Sequence, residues 1–342
     1  MGATPQLRLD VAVLDRNIEA MAASCAARHL GLRPHAKTHK SPEIARRQLD
    51  AGATGLTVAT IGEAEVFAAA GFDDLFIAYP LWVGGGDADR LRALAGRARV
   101  LVGCDSVEAA RRLSRLPVEV AVEVDSGHHR SGVQPGQAGE LAARICELGL
   151  RVRGVFTFPG HSYSPATRLS AAGDEAAALA VAASALAASL VPVRVLSGGS
   201  TPSAAAARGG VLTELRPGVY VFGDAQQVEL GTIGFEEVAV TVAATVVSHA
   251  GGRVITDAGS KALGADRAPW ASGYGRVLDQ PEARIPALSE HHSTIEWPGP
   301  LPALGSTVLV VPNHVCNAVN LATEYRLSTG GTWPVAARGR NS

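Results

Sequence analysis

The sequence of 342 residues has few cysteines, few aromatic residues, no excess of either charge and no long apolar run. Its four cysteines are scattered without Cys-x-x-Cys spacing, which argues against a disulfide framework and favours a reducing compartment. The net charge of -1 gives no indication of a basic face for nucleic acid. No apolar run reaches the roughly 18 residues of a membrane span, and the N-terminus lacks a signal-peptide pattern. We therefore expect a cytoplasmic protein without nucleic-acid or membrane partners.

Hydrophobic residues make up 47% of the chain, and its length predicts one large domain with a smaller partner. A helix is expected over residues 10–29, where apolar positions recur at helical spacing behind Asp10. Short β-type runs then alternate with Ala-rich helical stretches, the pattern of a parallel sheet covered by helices. Strands are expected near residues 31–37, 55–59, 74–79, 98–103, 118–124, 152–157, 193–197 and 212–221. This repetition favours a (β/α)8 barrel of the TIM type over a doubly wound sheet.

After Asp224 the pattern changes to β-branched alternation without Ala-rich helices, which predicts a C-terminal, mostly-β domain. Its expected strands lie at residues 238–247, 253–256, 293–297 and 307–311. We therefore place the barrel in residues 1–230 and the β domain in residues 231–342. The first residues of the chain are candidates to join the β domain.

Lys37 is the first candidate for chemistry, because reactive residues of a parallel barrel sit where strands end. The first predicted strand runs into Arg33-Pro-His-Ala-Lys-Thr-His-Lys40. Neighbouring cations would lower the proton affinity of Lys37 and make its amine a usable nucleophile for Schiff-base chemistry. A solvated basic loop is the alternative interpretation.

Further polar motifs follow other predicted strands. The segment Ser197-Gly-Gly-Ser-Thr-Pro-Ser203 offers glycines for close backbone approach and hydroxyls as donors, so it is a candidate phosphate cradle. A simple Gly/Ser turn is the alternative. The remaining strand-end motifs are Glu123-Val-Asp-Ser-Gly-His-His-Arg-Ser-Gly132, Pro159-Gly-His-Ser-Tyr163 and Arg216-Pro-Gly-Val-Tyr220. Each alone is compatible with a structural polar network, but together they predict one functional face.

His314 and Cys316 form a candidate metal pair within Pro312-Asn-His-Val-Cys316. Residues at i and i+2 of a strand point to the same side. Imidazole and thiolate are good ligands for Zn²⁺, and two protein ligands leave positions open for water or substrate. Two ligands are a weak motif, so a polar pair without a metal is the alternative.

Taken together, these motifs resemble the D-threonine aldolase and D-serine dehydratase family, which belongs to the alanine-racemase-like, fold type III pyridoxal phosphate (PLP) enzymes. Besides the segments above, Asp257-Ala-Gly-Ser-Lys-Ala-Leu263 and Pro312-Asn-His-Val-Cys-Asn-Ala-Val-Asn-Leu321 carry the resemblance. The matches run in order from Thr4 to about residue 321, which is nearly the whole chain.

The resemblance implies a PLP barrel with a β domain, a homodimer, and a role for each motif. It makes Lys37 the Schiff-base lysine, Ser197, Gly198, Gly199, Ser200 and Thr201 the phosphate-binding residues, Arg130 a neighbour of the pyridine ring, and His161, Tyr163 and Tyr220 neighbours of the cofactor and substrate. His314 and Cys316 would bind a divalent metal, zinc foremost, with manganese or magnesium as alternatives.

The resemblance also implies that the substrate is a β-hydroxy-D-amino acid such as D-serine, D-threonine or 3-hydroxy-D-aspartate. If Lys37 removes the α-proton, the β-hydroxyl leaves and a keto acid plus ammonia result, as in a dehydratase. If His161 instead removes the hydroxyl proton, glycine and an aldehyde result, as in an aldolase. The His-x-Cys spacing is typical of the dehydratases, so we favour that reaction. A D-amino-acid racemase or epimerase, a non-catalytic PLP-binding protein and a metal-only barrel hydrolase are the alternatives.

Overall fold

The fold is described from a computed structural model, which covers residues 3–342. Over these residues the chain forms two compact units. The barrel unit contains Met21–Lys37, Ala45–Gly218 and Arg340–Ser342, and the β unit contains residues 3–20, Thr38–Ile44 and Val219–Gly339. Neither unit is one continuous stretch of sequence.

The elements are numbered in chain order. The strands are β1 (Gln6–Leu9), β2 (Gly31–Leu32), β3 (Leu56–Val58), β4 (Asp74–Pro80), β5 (Arg99–Cys104), β6 (Glu119–Glu123), β7 (Arg151–Phe156), β8 (Val195–Gly198), β9 (Glu214–Leu215), β10 (Val240–Ser248), β11 (Val254–Thr256), β12 (Gly275–Val277), β13 (Gln280–Leu288), β14 (Ser293–Glu296), β15 (Thr307–Pro312), β16 (Glu324–Leu327) and β17 (Thr332–Pro334). The helices are α1 (Val11–Ala27), α2 (Pro42–Asp50), α3 (Ile61–Ala69), α4 (Asp87–Ala95), α5 (Val107–Leu113), α6 (Ala138–Glu147), α7 (Ala171–Ala188), α8 (Thr201–Ala204), α9 (Ala225–Glu229), α10 (Ser260–Leu263) and α11 (Val315–Leu321).

The barrel unit is an eight-stranded parallel sheet in the order β2-β9-β8-β7-β6-β5-β4-β3. A parallel bridge between His35 and Thr57 joins the chain after β2 to β3, and the Ala36 amide donates to the Thr57 carbonyl over 2.8 Å. The eight strands therefore close into a ring. The predicted TIM-type barrel with a C-terminal β domain is confirmed.

Strands β2 and β9 are much shorter than the expected runs 31–37 and 212–221. Each has only two residues, and a proline follows soon after, Pro34 in one case and Pro217 in the other. Proline has no amide hydrogen to donate to a ladder, so regular pairing stops there. The chain beyond these two strands is consequently irregular and can line a cavity.

The β unit is built around six antiparallel strands in the order β11-β14-β13-β12-β15-β10. The last strand, β10, also pairs with the first, β11, so the six strands form a closed ring. Strand β1 pairs antiparallel with β10 and parallel with β16. The start of the chain is therefore part of the same sheet as its C-terminal third.

The interior of the barrel is apolar below its carboxyl-terminal end. Phe76, Leu101, Ala121 and Phe156 form a buried cluster, and the rings of Phe76 and Phe156 meet edge to face with centroids 5.0 Å apart. The guanidinium of Arg216 lies over both rings, 5.5 Å and 5.3 Å from their centres. Arg216 thus joins the apolar interior to the polar carboxyl-terminal end.

Within residues 3–342, α7 is the one helix long and apolar enough to cross a membrane by length and composition. Its side chains at Glu175, Leu179, Ala182 and Leu186 are fully buried. That spacing is the buried stripe of a helix packed on a protein interior. The apolar character of α7 is explained by its packing within the barrel unit.

Candidate active site

A cavity of about 560 Å³ lies at the carboxyl-terminal ends of the barrel strands. Its lining residues are His35, Lys37, Ala59, Thr60, Ala78, Tyr79, Pro80, Asp105, Arg130, Ser131, Phe158, Gly199 and Arg216. Each of the eight strands contributes a residue from its end or from the loop that follows it. This is the face on which parallel barrels place their chemistry, and the volume suits a small organic ligand.

Lys37 lies in the wall of this cavity, five residues beyond the end of β2. Its Nζ is 5.9 Å from the centre of the Phe158 ring. Within residues 3–342 the amine has no hydrogen bond and no carboxylate partner. The Arg130 guanidinium, 5.2 Å from the centre of the same ring, is the neighbouring cation. An amine at a cavity wall that is not held by a carboxylate or a hydrogen bond is accessible for a covalent bond to a ligand.

Arg130 follows β6, whose last residue is the buried Glu123. An oxygen of Glu123 lies 4.0 Å from the Arg130 guanidinium and accepts a hydrogen bond from the Ser131 hydroxyl over 3.0 Å. Burial raises the pKa of Glu123 to about 7, and the Ser131 hydrogen bond and the Arg130 charge only partly oppose that shift. Arg130 therefore faces the cavity with a carboxyl group behind it.

Arg216 is buried at the floor of the cavity. It donates to the Ser197 hydroxyl and, over 2.6 Å, to the Thr157 carbonyl. Burial lowers the pKa of Arg216 to about 10, although the three surrounding glutamates oppose the shift. The sequence reveals Arg216 only as part of an Arg-Pro-Gly segment, and its role at the floor depends on the packing of β8 and β9.

The predicted phosphate loop spans Ser197 to Thr201. Gly199 lines the cavity and has a φ of +87°, which favours glycine. The Ser200 hydroxyl lies 2.7 Å from that of Ser162 and caps α8, whose first residue is the buried Thr201. The Ser197 hydroxyl also donates to Glu214 over 2.6 Å, inside the barrel. Gly199 is the residue of the segment that lines the cavity.

His161 and Tyr163 lie in a short 3-10 segment after β7 and do not line the cavity. The His161 Nε2 is 3.1 Å from the Asp174 carboxylate, and its Nδ1 is buried without a hydrogen-bond partner among residues 3–342. The Tyr163 ring is 6.3 Å from that of Phe158. Asp174 was not a predicted site residue, because no motif connects it to a histidine 13 positions earlier.

The remaining predicted site residues belong to the β unit. Tyr220 is buried in the 3-10 segment Val219–Val221. The expectation that His314 and Cys316 share one side of a strand is wrong, because β15 ends at Pro312 and α11 begins at Val315. His314 is the N-cap of α11, and Cys316 lies in its first turn. The two side chains nevertheless meet, since they form a hydrogen bond to each other.

His314 also contacts Asp266 through its Nδ1. Burial disfavours the charged imidazole, but the charge of Cys316 and the hydrogen bond to Asp266 raise the pKa of His314 well above its usual value. A carboxylate on one ring nitrogen fixes the orientation of a metal-binding histidine. Asp266, 48 residues away in the sequence, is a partner that spacing alone did not indicate.

The residues present fit both groups that the resemblance implies. A free amine, a guanidinium and a glycine-containing loop at one cavity suit an aldehyde cofactor that carries a phosphate. An imidazole beside a thiol suits a divalent metal such as zinc. No cluster of three or more His, Cys, Asp or Glu residues suited to a metal occurs within the described part of the chain. His314 and Cys316 would thus leave positions for water or substrate.

A parallel barrel with a free lysine at its carboxyl-terminal face, followed by a β unit, defines an alanine-racemase-like PLP enzyme. Residues 9–226 match the family model for the alanine racemase N-terminal domain, and residues 239–327 match the one described as "Putative serine dehydratase domain". The chain belongs to the D-threonine aldolase and D-serine dehydratase family, whose members are PLP-dependent lyases.

Two relatives match over almost the whole chain. D-threo-3-hydroxyaspartate dehydratase of Delftia sp. (strain HT23) is 37% identical over 92% of this chain and 90% of its own length. Its solved structure superposes with a TM-score of 0.90, at 33% identity over 98% of this chain and 97% of that one. D-threonine aldolase of Arthrobacter sp. is 34% identical over 98% of this chain and 93% of its own length.

Solved structures add two observations. D-threonine aldolase of Filomicrobium marinum superposes with a TM-score of 0.88, at 32% identity over 99% of this chain and 96% of that one. A D-threo-3-hydroxyaspartate dehydratase with a cysteine replaced by alanine has been solved in a metal-free form, so that enzyme binds a metal. Dehydratases and aldolases are therefore both among the relatives.

Proposed function

We propose that this protein is a dehydratase that converts a β-hydroxy-D-amino acid to a keto acid and ammonia, with PLP at Lys37 and a divalent metal at His314 and Cys316. D-Serine, D-threonine and 3-hydroxy-D-aspartate are the candidate substrates. One observation carries the proposal: the amine of Lys37 is free within the cavity, whereas His161 is paired with Asp174 and lies outside the lining. This arrangement supports Lys37, rather than His161, as the residue that removes the proton, which is the requirement of the dehydratase reaction.

Lys37 would hold the cofactor, and the same nitrogen would serve as the base that takes the α-proton of the substrate. When bound, PLP supplies an electron-withdrawing ring that stabilises negative charge at the α-carbon. Arg130 and the loop from Gly198 to Thr201 would orient the ring and the phosphate. His314 and Cys316 would hold a metal that supplies Lewis-acid assistance to departure of the β-hydroxyl.

The aldolase reaction is the second candidate. Pairing with Asp174 fixes one nitrogen of His161 and leaves the Nδ1 as the basic atom. That arrangement is suited to a general base if substrate reaches it. The cysteine usage favours a cytoplasmic location and the resemblance implies a homodimer, and both of these stay predictions.

The reaction is tested by incubating the purified enzyme with the three candidate substrates and measuring both product pairs. We expect ammonia plus keto acid, and we expect Lys37→Ala to lower turnover by at least about 10³-fold. Lys261→Ala, which alters an exposed lysine paired with Glu290, is the control and should retain activity. Borohydride reduction followed by peptide mass spectrometry should place the cofactor on Lys37 rather than on Lys40 or Lys261, the other lysines of the chain.

The metal role has a separate test. Chelation should abolish dehydration and added Zn²⁺ or Mn²⁺ should restore it, while Cys316→Ala should lower both bound metal and turnover by about 10- to 100-fold. Full activity in metal-free enzyme would contradict the role of His314 and Cys316. Glycine plus aldehyde as the main products would replace the dehydratase with the aldolase.

A further inference from the structure

Glu175 is a fully buried carboxyl group that lies directly behind the predicted phosphate loop. It belongs to the buried stripe of α7, a position where helices of this kind normally carry apolar residues. Its Oε1 accepts a hydrogen bond from the Gly199 amide over 2.5 Å. Its Oε2 is buried and has no hydrogen-bond partner among residues 3–342.

The contact between Glu175 and the loop depends on glycine at position 198. A Cβ at Gly198 would lie 2.2 Å from the Glu175 Oε1 and 2.7 Å from its Cδ. The carboxyl group therefore packs flat against the backbone at Gly198 and hydrogen-bonds to the next residue. The carboxyl group supports this turn through these contacts. A change in its charge therefore changes the electrostatic potential at the loop.

The electrostatic surroundings of Glu175 favour its neutral form. Burial raises its pKa to about 7, and the Gly199 hydrogen bond and the Arg216 charge only partly oppose the shift. Arg216 is the cation that acts on it from the strand side. Asp174, the neighbouring carboxylate on the same helix, pairs with His161 instead. The backbone at Gly198, which also lies against the carboxyl group, is uncharged.

We propose that Glu175 positions the phosphate loop and takes up one proton from solvent when the phosphate of PLP binds. The proposal rests on the cofactor-binding role of Gly198 to Thr201 in the proposed function. A bound phosphate brings negative charge to a loop that touches a desolvated carboxyl group, so it favours the protonated acid. The new O–H would be on Oε2, the oxygen without a partner, while Oε1 continues to accept from Gly199.

The test compares PLP affinity of the apo forms of the wild type and Glu175→Gln from about pH 6.5 to about pH 9, followed by absorbance. Glutamine keeps the shape and cannot ionise. Above pH 7 we expect the affinity of the wild type to fall relative to the variant by up to about tenfold per pH unit. Pyridoxal, which has the aldehyde but no phosphate, should give parallel profiles in both proteins, because it brings no phosphate charge to the loop beside Glu175.

Calorimetry of the wild type alone keeps the proposal testable if Glu175→Gln does not fold. Binding of PLP near pH 8 in two buffers of different ionisation enthalpy should show additional proton uptake relative to pyridoxal. Glu140→Gln, an exposed carboxyl on α6, is the control and should behave as the wild type. Parallel PLP profiles in wild type and Glu175→Gln, or equal proton uptake with PLP and pyridoxal, would overturn the role of Glu175. A wild type that binds no PLP would instead overturn the cofactor role itself.

Discussion

Glu123 ends strand β6 with its carboxyl group buried, and its Oε2 has no hydrogen-bond partner within the described residues. Its pKa, about 7 in the folded protein against an ordinary value of 4.5, reflects that burial. Below pH 4.5 the group is protonated in both the folded and unfolded states, so its stabilising contribution is fully present. As the pH rises to 7 the unfolded chain ionises first, and that contribution is lost.

We therefore expect Glu123→Gln to remove a pH dependence of stability. Between about pH 5 and about pH 8, the wild type should lose on the order of 2–3 kcal/mol more free energy of unfolding than the variant. Urea denaturation at the two pH values measures the difference, with the exposed Glu140→Gln as control. The same loss in both proteins would show that the Glu123 carboxyl group is not responsible.

Residues that carry their chemistry in a local motif could be predicted from the sequence, and residues that act through distant partners could not. Lys37 lies in a short basic segment, and its position in the cavity follows once the strands are placed. Glu175 meets its partner Gly199 across 24 residues, and in an Ala-rich helix it reads as an ordinary polar residue. Its role depends on the packing of α7 against the loop, and the spacing of residues in the sequence does not indicate that packing.

Helices α6 and α7 are packed closely because Gly139 has no side chain. A Cβ at Gly139 would lie 2.1 Å from the Ala185 carbonyl oxygen, so Gly139→Ala forces the two helices apart. We expect a cost of about 1–3 kcal/mol in the free energy of unfolding. Gly173→Ala, at an exposed site of α7 with nothing within 4 Å, should instead stabilise the protein by about 0.5–1 kcal/mol.

Thermal or urea denaturation of the two variants distinguishes close packing from helix propensity. If Gly139→Ala were neutral or stabilising, the approach of α6 to α7 would not limit stability. Equal effects of both substitutions would mean that propensity alone decides the outcome. Opposite signs are the result that the structure requires.

The order of the barrel elements could be predicted, because the local spacing of apolar residues distinguishes the strands from the helices that alternate with them. The β unit was predicted less completely, and β13 shows why. Its sequence contains Pro281 and Pro286, which are typical of loops, and its pairing with β14 shifts register between Arg284 and Ala287. Irregular pairing gives the prolines a place in the strand, and only the neighbouring strands reveal it.

On the scale of the whole molecule, the start of the chain completes the β unit. Leu7 and Leu9 of β1 are buried, and β1 lies between β10 and β16 in the sheet. The sequence makes the first residues candidates to join the β domain, but the local composition of a four-residue strand does not indicate which strand it pairs with. Its partner β10 lies more than two hundred residues further along the chain.

Removing residues 1–9 should therefore weaken the β unit while leaving the barrel unit intact. Without β1, the amides and carbonyls of β10 and β16 on that side lose their partners, and the apolar contacts of Leu7 and Leu9 are lost. Hydrogen exchange of the otherwise complete chain should be at least about tenfold faster in β10 and β16, with β4 to β7 unchanged. Equal loss of protection in β4 to β7 would show that β1 supports both units, and unchanged exchange in β10 would show that its pairing contributes no local stability.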